Sequence, residues 1–195
     1  MVSGEITKAW QKYTTLVYPA AMRDMAVLLH NVRSTHNVGS IFRTADAAGV
    51  SRVYLSGYTP TPLDRFGRTR KDIAKTALGA EKSVPWEYHK SPMALIKKLS
   101  AGGGPSSGGK KERWNIVGVE QSPRSIDYRK FSAEGGSSSG GKKKGKTVFV
   151  FGNELSGVPK SILKICDAIV EIPMHGRKES LNVSVAAGII LFSVR

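Results

Sequence analysis

Residues 147–157 read TVFVFGNELSG, an apolar run that passes directly into a polar turn. The apolar part, residues 147–151, predicts a buried strand, and Gly152 and Asn153 open the turn. Parallel α/β sheets bind their ligands where the carboxyl ends of strands meet such turns. This stretch therefore predicts a strand of a parallel sheet with a functional loop at its end.

Two other parts of the chain repeat this arrangement. Residues 36–44 (HNVGSIFRT) follow a predicted strand at residues 25–29. Residues 172–176 (IPMHG) follow a predicted strand at residues 168–172 and run on to residues 180–184 (SLNVS). Polar turns after parallel strands gather at one edge of a sheet, so these segments predict a single site, and that site predicts an enzyme.

Apolar runs and helix-like segments alternate along the chain. Further strands are predicted at residues 53–55 and 114–119, and helices at residues 38–48, 93–99, 159–165 and 183–194. This alternation predicts an α/β fold, a mostly parallel sheet flanked by helices on both faces. The last helix is apolar on nearly all sides and should be buried in the fold or against a second copy, and we favour a homodimer.

The chain length of 195 residues corresponds to about one main domain, which we place at residues 25–195 after a short N-terminal helical segment, residues 1–24. Two inserts rich in Gly, Ser and Lys interrupt the pattern at residues 102–111 and 135–146. They predict flexible surface loops, because their composition cannot build a core.

One of these inserts contains a complete match to the phosphate-loop pattern, GGKKKGKT at residues 140–147. A true phosphate loop follows a strand and opens a helix, so that backbone N–H groups face the phosphates. Here the order is reversed, because the match follows a Gly/Ser tract and enters a strand. Nucleotide hydrolysis is therefore disfavoured.

The charge balance points to a polyanionic partner. Thirty Lys and Arg against fifteen Asp and Glu give a net charge of +15, which favours RNA or DNA over a membrane surface. No apolar run approaches the roughly 20 residues needed to span a bilayer, and the N-terminus lacks the features of a signal peptide. These observations predict a cytoplasmic protein without a membrane partner.

The histidines and the single cysteine predict no metal site. His30, His36, His89 and His175 lack ligand spacing with each other and with Cys166. A lone cysteine cannot form an internal disulfide and fits a reducing compartment. Its apolar neighbours predict a buried, structural thiol.

In order and spacing, residues 36–44, 151–157 and 172–184 resemble the SpoU family of RNA 2′-O-methyltransferases, of the SPOUT class. Residues 75–81 (KTALGAE) and 84–87 (VPWE) are similar to the segment that such enzymes carry between the first and second motifs. The resemblance implies a knotted SPOUT methyltransferase fold with a C-terminal trefoil knot, S-adenosyl-L-methionine as cofactor, tRNA or rRNA as substrate, and a homodimer.

By the same resemblance, the catalytic residues are Arg43, Asn37, Glu154, Ser180 and Asn182. A guanidinium stays protonated, so we expect Arg43 to stabilise the developing alkoxide rather than act as a base. Glu154 is expected to hold Asn153, Arg43 or the ribose in place, and it is the second candidate to accept the hydroxyl proton. The alternative for Asn37 and Ser180 is an N-cap role, each at the start of a helix.

The remaining site residues fall into two groups. The resemblance assigns the cofactor to Val119, Glu120, Gly152, Ile172, Met174 and Leu181. Phosphate contacts are expected from Arg33, Arg65, Arg68, Arg70 and Lys71, and the alternative for the loop that carries most of them is a solvated turn.

A non-catalytic RNA-binding protein of the same fold is the alternative function. The presence of all five catalytic candidates argues against it, since a decayed site would lose some of them. Relatives with extra segments at either end use them to select a substrate, so the choice between tRNA and rRNA stays open.

Overall fold

Seven strands form one sheet in the part of the chain that the computed structural model describes, residues 25–103, 113–131 and 145–194. The strands are β1 (Met25–His30), β2 (Arg52–Ser56), β3 (Trp86–His89), β4 (Trp114–Val119), β5 (Ile126–Asp127), β6 (Lys146–Phe151) and β7 (Ala168–Glu171). Their order is β3-β2-β1-β6-β4-β7-β5, and neighbouring strands pair in parallel. Their carboxyl ends therefore lie at one edge of the sheet.

Helices pack on both faces of this sheet. They are α1 (Thr35–Ala47), α2 (Lys71–Ala77), α3 (Ala80–Ser83), α4 (Pro92–Ser100), α5 (Lys160–Leu163) and α6 (Val183–Ser193), with a 3-10 helix at Tyr128–Lys130. Side chains alternate along each central strand, so Val27 and Leu29 join the core under α1, α2 and α6. Ala26 and Leu28 join the core under α4 and α5.

The predicted α/β class and mostly parallel sheet are confirmed, and each predicted strand and helix is present with small shifts at its ends. Five elements were not predicted, namely β3, β5, α2, α3 and the 3-10 helix. They are short, and α2 buries only Ile73 and Ala77, so little periodicity marks them in the sequence. The predicted N-terminal segment, residues 1–24, and most of the two Gly/Ser/Lys inserts lie outside the described residues.

Helix starts are where the sequence interpretation is wrong in detail. Ser34 caps α1, and its hydroxyl accepts a hydrogen bond from the backbone N–H of Asn37, which lies inside the first turn. Asn182 caps α6 through the backbone N–H of Ser184, so Ser180 is not the cap. Pro159 has an extended backbone and precedes α5 rather than lying in its first turn.

A close approach between α1 and α2 depends on Gly39. A Cβ at this position would lie 2.0 Å from Thr76 Oγ1 and 2.4 Å from the carbonyl oxygen of Ile73. The hydroxyl of Thr76 also donates to the carbonyl oxygen of His36. This contact fixes α2, and with it the end of the loop that follows β2, against the start of α1.

Two further predictions concern burial, that of the Cys166 thiol and that of the last helix, α6. Cys166 is buried and its thiol donates to the carbonyl oxygen of Ile162, which confirms the structural interpretation. In α6, Ile190 and Leu191 are buried, whereas Val185 and Phe192 are about half exposed. No helix among the described residues is long and apolar enough to cross a bilayer.

Candidate active site

A cleft of about 180 Å³ opens at the carboxyl edge of the sheet, where β4, β6 and β7 end and α6 begins. Its lining includes all six residues that the sequence assigns to the cofactor, namely Val119, Glu120, Gly152, Ile172, Met174 and Leu181. Two catalytic candidates, Glu154 and Ser180, also line it. Segments far apart in sequence therefore meet in one cleft.

The loop after β6 is shaped by the buried side chain of Asn153. Its carbonyl oxygen accepts hydrogen bonds from the backbone N–H groups of Leu155 and Ser156. Its amide donates to the carbonyl oxygen of Asn31 and to the hydroxyl of Tyr58, both at 3.0 Å. One side chain thus folds its own loop and ties that loop to the ends of β1 and β2.

Gly152 is required by the packing of this loop on itself. A Cβ at Gly152 would lie 2.2 Å from the carbonyl carbon and oxygen of Gly157 and 2.3 Å from the nitrogen of Val158. The space beside the glycine is therefore filled by backbone, which cannot move aside as a side chain would. The packing of the loop therefore requires this glycine independently of the cofactor contact that the resemblance assigns to it.

Glu120 holds the far side of the same loop. One carboxylate oxygen accepts the backbone N–H of Val158 at 2.6 Å, and the other accepts the N–H of Gln121. A Cβ on Gly157, whose φ is +65°, would lie 2.0 Å from that carboxylate. Glu120 therefore lines the cleft and also clamps the loop after β6.

The carboxylate of Glu154 connects this loop to the start of α1. It accepts the backbone N–H groups of Arg33 and Ser34, each at 3.1 Å, and the side-chain amide of Asn37 at 3.0 Å. Burial acts to raise the pKa of Glu154, but the hydrogen bonds from Arg33, Asn37 and Ser34 outweigh it, so its pKa lies below the usual value. A carboxylate with a lowered pKa and several donors is a poor proton acceptor and a good positioning group.

Asn37 links Glu154 to the start of α6 through a second side-chain hydrogen bond. While its amide donates to Glu154, its carbonyl oxygen accepts the side-chain amide of Asn182 at 3.1 Å. Asn182 in turn caps α6. The chain Glu154, Asn37, Asn182 therefore joins all three sequence segments that predicted the site.

Arg43 is the catalytic candidate that neither lines the cleft nor joins the hydrogen-bonded chain from Glu154 through Asn37 to Asn182. It lies on the exposed side of α1, and its guanidinium makes no hydrogen bond or ion pair with another described residue. It is not part of the cleft lining. Within one chain, its guanidinium is free to meet a ligand or another molecule.

The residues assigned to RNA contacts all lie in the chain segments that follow the carboxyl ends of β1 and β2. Arg33 is exposed and its backbone holds Glu154. Arg65, Arg68 and Lys71 are exposed, and Arg70 is half-buried at the N-cap position of α2. The loop after β2 therefore presents cations to solvent beside the start of α2.

The chain is similar to known proteins over most of its length. The model of the SpoU rRNA Methylase family matches residues 24–192. The chain belongs to this family. It is 32% identical over 173 residues to a tRNA (guanosine(18)-2′-O)-methyltransferase of Aquifex aeolicus, covering 89% of this chain and 69% of that protein.

Other members of the SpoU family are similar over most of this chain. A 23S rRNA (guanosine-2′-O-)-methyltransferase RlmB of Xanthomonas axonopodis is 32% identical over 180 residues, which is 91% of this chain and 60% of RlmB. The crystal structure of the A. aeolicus TrmH/SpoU tRNA modifying enzyme matches with a TM-score of 0.70 and 28% identity, covering 97% of this chain and 82% of that one.

The crystal structure of an AdoMet bound rRNA methyltransferase from Sinorhizobium meliloti matches with a TM-score of 0.69 and 29% identity. It covers 87% of this chain and 55% of that one. This chain thus spans between half and about two thirds of several SpoU relatives.

Sequence reasoning missed several residues that build this SpoU site. Asn31 directly follows β1 with a φ of +60°, and its side-chain oxygen accepts the backbone N–H of Tyr58. Ser34 caps α1, and Tyr58 supports Asn153. Their position could have indicated them, because Asn31 and Tyr58 are polar residues near the carboxyl ends of buried strands.

Among the described residues, no group of three or more His, Cys, Asp and Glu side chains is placed to hold a metal ion.

Proposed function

We propose that this chain transfers a methyl group from S-adenosylmethionine to a ribose 2′-hydroxyl of tRNA or rRNA. The observation that carries the proposal is the hydrogen-bonded chain from Glu154 through Asn37 to Asn182, which gathers the three SpoU segments beside one cleft. Relatives named as tRNA and 23S rRNA 2′-O-methyltransferases support it, as does a similar structure with AdoMet bound.

The cleft fits this cofactor chemically. Val119, Ile172 and Leu181 offer apolar walls suited to an adenine ring. Glu120 and Glu171 place two carboxylates in the lining of the cleft, although the net charge of the chain is +15. Their negative charge suits a cationic sulfonium. Met174 and Gly152 complete the proposed contacts. When bound, the cofactor supplies an electrophilic methyl group and leaves as a neutral thioether.

The residues of the chain then align the hydroxyl and stabilise its charge. Asn37, Asn182 and Ser180 are proposed to position the ribose at the mouth of the cleft. Glu154 acts as a positioning residue, because its oxygens already accept hydrogen bonds and its pKa is lowered. Arg43 remains charged and is proposed to stabilise the alkoxide as it develops, while the hydroxyl proton is released to solvent water.

A homodimer is part of the proposal. Val185 and Phe192 leave an apolar side of α6 about half exposed, and a second copy of the chain would cover it. Arg43 is exposed on α1, which packs against α6. A measured mass of twice the chain mass in analytical ultracentrifugation is expected, and a monomer at micromolar concentration would contradict it.

We also propose a C-terminal trefoil knot, as in the SPOUT class. The sheet order supports it, because β6 lies between β1 and β4 and β7 lies between β4 and β5. The chain thus returns twice into a sheet it has already begun. A chain with this chemistry and a single cysteine is proposed to work in the cytoplasm.

The test is transfer of labelled methyl from S-adenosylmethionine to total tRNA and, separately, to rRNA. Wild type is expected to label one pool and to yield a 2′-O-methyl nucleoside after digestion. Arg43→Ala is expected to lose about 100-fold or more in kcat, as when a charge-stabilising donor is removed. Arg113→Ala is the matched control, since Arg113 is exposed, pairs with Asp167 and precedes β4 at the opposite edge of the sheet.

One result would overturn the proposed activity, and another would overturn only the role of Arg43. Cofactor binding without transfer to either pool would favour the non-catalytic RNA-binding alternative. Equal transfer by Arg43→Ala and wild type would remove Arg43 from the catalytic group and leave the rest of the site to be tested.

A further inference from the structure

The loop between β2 and α2 is a rigid hairpin with an aromatic ring at its tip. Leu63 and Thr69 pair as a short antiparallel bridge, and Gly67 turns the chain with a φ of +75°. One oxygen of the Asp64 carboxylate accepts the backbone N–H groups of Phe66 at 2.8 Å and Arg68 at 3.0 Å. The tip is therefore held in shape before any ligand arrives.

Phe66 at this tip is exposed between two cations. The exposed fraction of Phe66 is 65%. The guanidinium carbons of Arg65 and Arg68 lie 4.7 Å and 4.8 Å from the ring centroid. Both distances are within the range of a cation–π contact. The fold thus keeps a large apolar ring in solvent and in contact with two positive charges.

The two arginines differ in how firmly they are held. Arg68 is bound to Asp64 through its Nε at 2.8 Å and through a second guanidinium nitrogen, also at 2.8 Å. Arg65 forms no ion pair with an acidic side chain among the described residues. Arg68 is therefore a fixed part of the tip, whereas Arg65 can leave the ring for another anion.

The hairpin lies in the same connection, between β2 and α2, as Tyr58, which supports a residue of the cleft lining. Tyr58, eight residues before Phe66, follows β2 and has an exposed fraction of 57%. Its hydroxyl accepts the amide of Asn153, which lines the cleft. Two exposed aromatic rings, Tyr58 and Phe66, thus lie on one connection that begins at the cleft.

The chemistry that fits this tip is a nucleobase next to a phosphate. Bases of single-stranded RNA stack on aromatic rings and on guanidinium planes, while Lys and Arg contact the backbone. A single ring flanked by charges is too small for an apolar protein interface. The net charge of +15 also favours a polyanion.

We propose that Phe66 is a stacking platform for an unpaired RNA base outside the target nucleotide. Arg65 moves from the ring to the adjoining phosphate, and Arg68 stays beside the base. The inference rests on RNA being the substrate, as proposed above, and it assigns the hairpin to unpaired rather than duplex RNA.

The test is the affinity of the full chain for RNA in the absence of cofactor. The probes are a fluorescein-labelled 12-nucleotide single strand that cannot self-pair and the same strand annealed to its complement. Loss of one stacked base weakens binding about 5- to 150-fold, so Phe66→Ala should reduce single-strand affinity by that factor. Phe66→Tyr should restore it, and duplex affinity should be unchanged.

Two further variants sharpen this result. Arg65→Ala should lower the slope of log affinity against log salt by about 0.7 on the single strand, as expected for one lost phosphate contact. Leu78→Ala is the matched control, because Leu78 is equally exposed, at 66%, and should bind as wild type does. Circular dichroism of each variant verifies the fold.

The outcomes separate this inference from the proposed function. Wild-type single-strand affinity in Phe66→Ala, or equal loss on the two probes, would overturn the platform even if methyl transfer is observed. Conversely, a Phe66-dependent preference for the single strand without methyl transfer would support the platform and count against the enzyme.

Discussion

Replacing Glu154 by glutamine tests the positioning role directly, because the two side chains have the same shape. The carboxylate accepts three N–H groups at 3.0–3.1 Å, two on one oxygen and one on the other, which also accepts the side-chain amide of Asn153 at 3.5 Å. A carboxamide offers one oxygen, so it can keep Ser34 and Asn37 only by turning its amino group toward the N–H of Arg33. One hydrogen bond to a charged acceptor is lost and two become neutral.

The expected cost is about 2 kcal/mol, because a hydrogen bond to a charged group contributes roughly 1.5–3 kcal/mol. For a chain of this size, that corresponds to a fall in Tm of about 4–8 °C. Thermal and urea unfolding of wild type and variant measure it. Glu179→Gln is the matched control, because it removes the same charge from an exposed side chain that accepts no hydrogen bond from a described residue.

The same variant has a defined pH dependence. The folded pKa of Glu154 lies below its ordinary value of 4.5, so its ionised form stabilises the fold. That contribution is complete above pH 4.5 and is lost as the pH falls through the lower, folded pKa. The stability difference between wild type and Glu154→Gln should therefore be constant at neutral pH and should shrink in acid.

Kinetics distinguish a positioning residue from a base. If Glu154 positions Asn37, Glu154→Gln should lower kcat while the shape of the pH profile stays the same. A difference in unfolding free energy below about 0.5 kcal/mol at neutral pH would refute the hydrogen-bond argument. Loss of the acidic limb of the kcat profile in the variant would show instead that Glu154 accepts the proton.

Two further predictions follow from packing and burial. Gly152→Ala should lower Tm and S-adenosylmethionine affinity together, because the new Cβ would lie 2.2 Å from the backbone of Gly157 and such overpacking costs about 1–3 kcal/mol. Calorimetry measures both quantities. Gly176→Ala is the control and should keep the wild-type Tm, because no atom lies within 4 Å of its added Cβ. Burial raises the pKa of Cys166 to about 11, so iodoacetamide should modify the native protein slowly at neutral pH and the unfolded protein rapidly; fast reaction of the native thiol would show that it is accessible.

Two acidic residues of the cleft lining, Glu120 and Glu154, also accept hydrogen bonds from backbone N–H groups. Glu120 holds the backbone of Val158, and Glu154 holds the backbone of Arg33 and Ser34. Both carboxylates therefore shape the loop after β6 as well as facing the cleft. A substitution at either position would alter the loop and the ligand contacts together, which is why the isosteric Gln variant is preferable to Ala.

Five of the seven described strands, the class of the fold and the sheet edge that carries the cleft could be predicted from the residues alone, whereas the residues of the cleft wall were assigned by the family resemblance. Val27, Leu29 and Phe149 lie in apolar runs, and burial of a parallel strand on both faces leaves that pattern in the local sequence. The polar turns after these strands identified the cleft, because parallel strands place their carboxyl ends together.

Only the tertiary structure decided which side chains work together. Glu154 and Asn37 are separated by 117 residues and Asn37 and Asn182 by 145, so nothing local in the sequence specifies their hydrogen bonds. The same holds for Gly152, whose neighbour is the backbone of Gly157, and for Phe66, whose exposure follows from the hairpin around it. Burial patterns are local and periodic, whereas hydrogen-bond partners are set by the three-dimensional path of the chain.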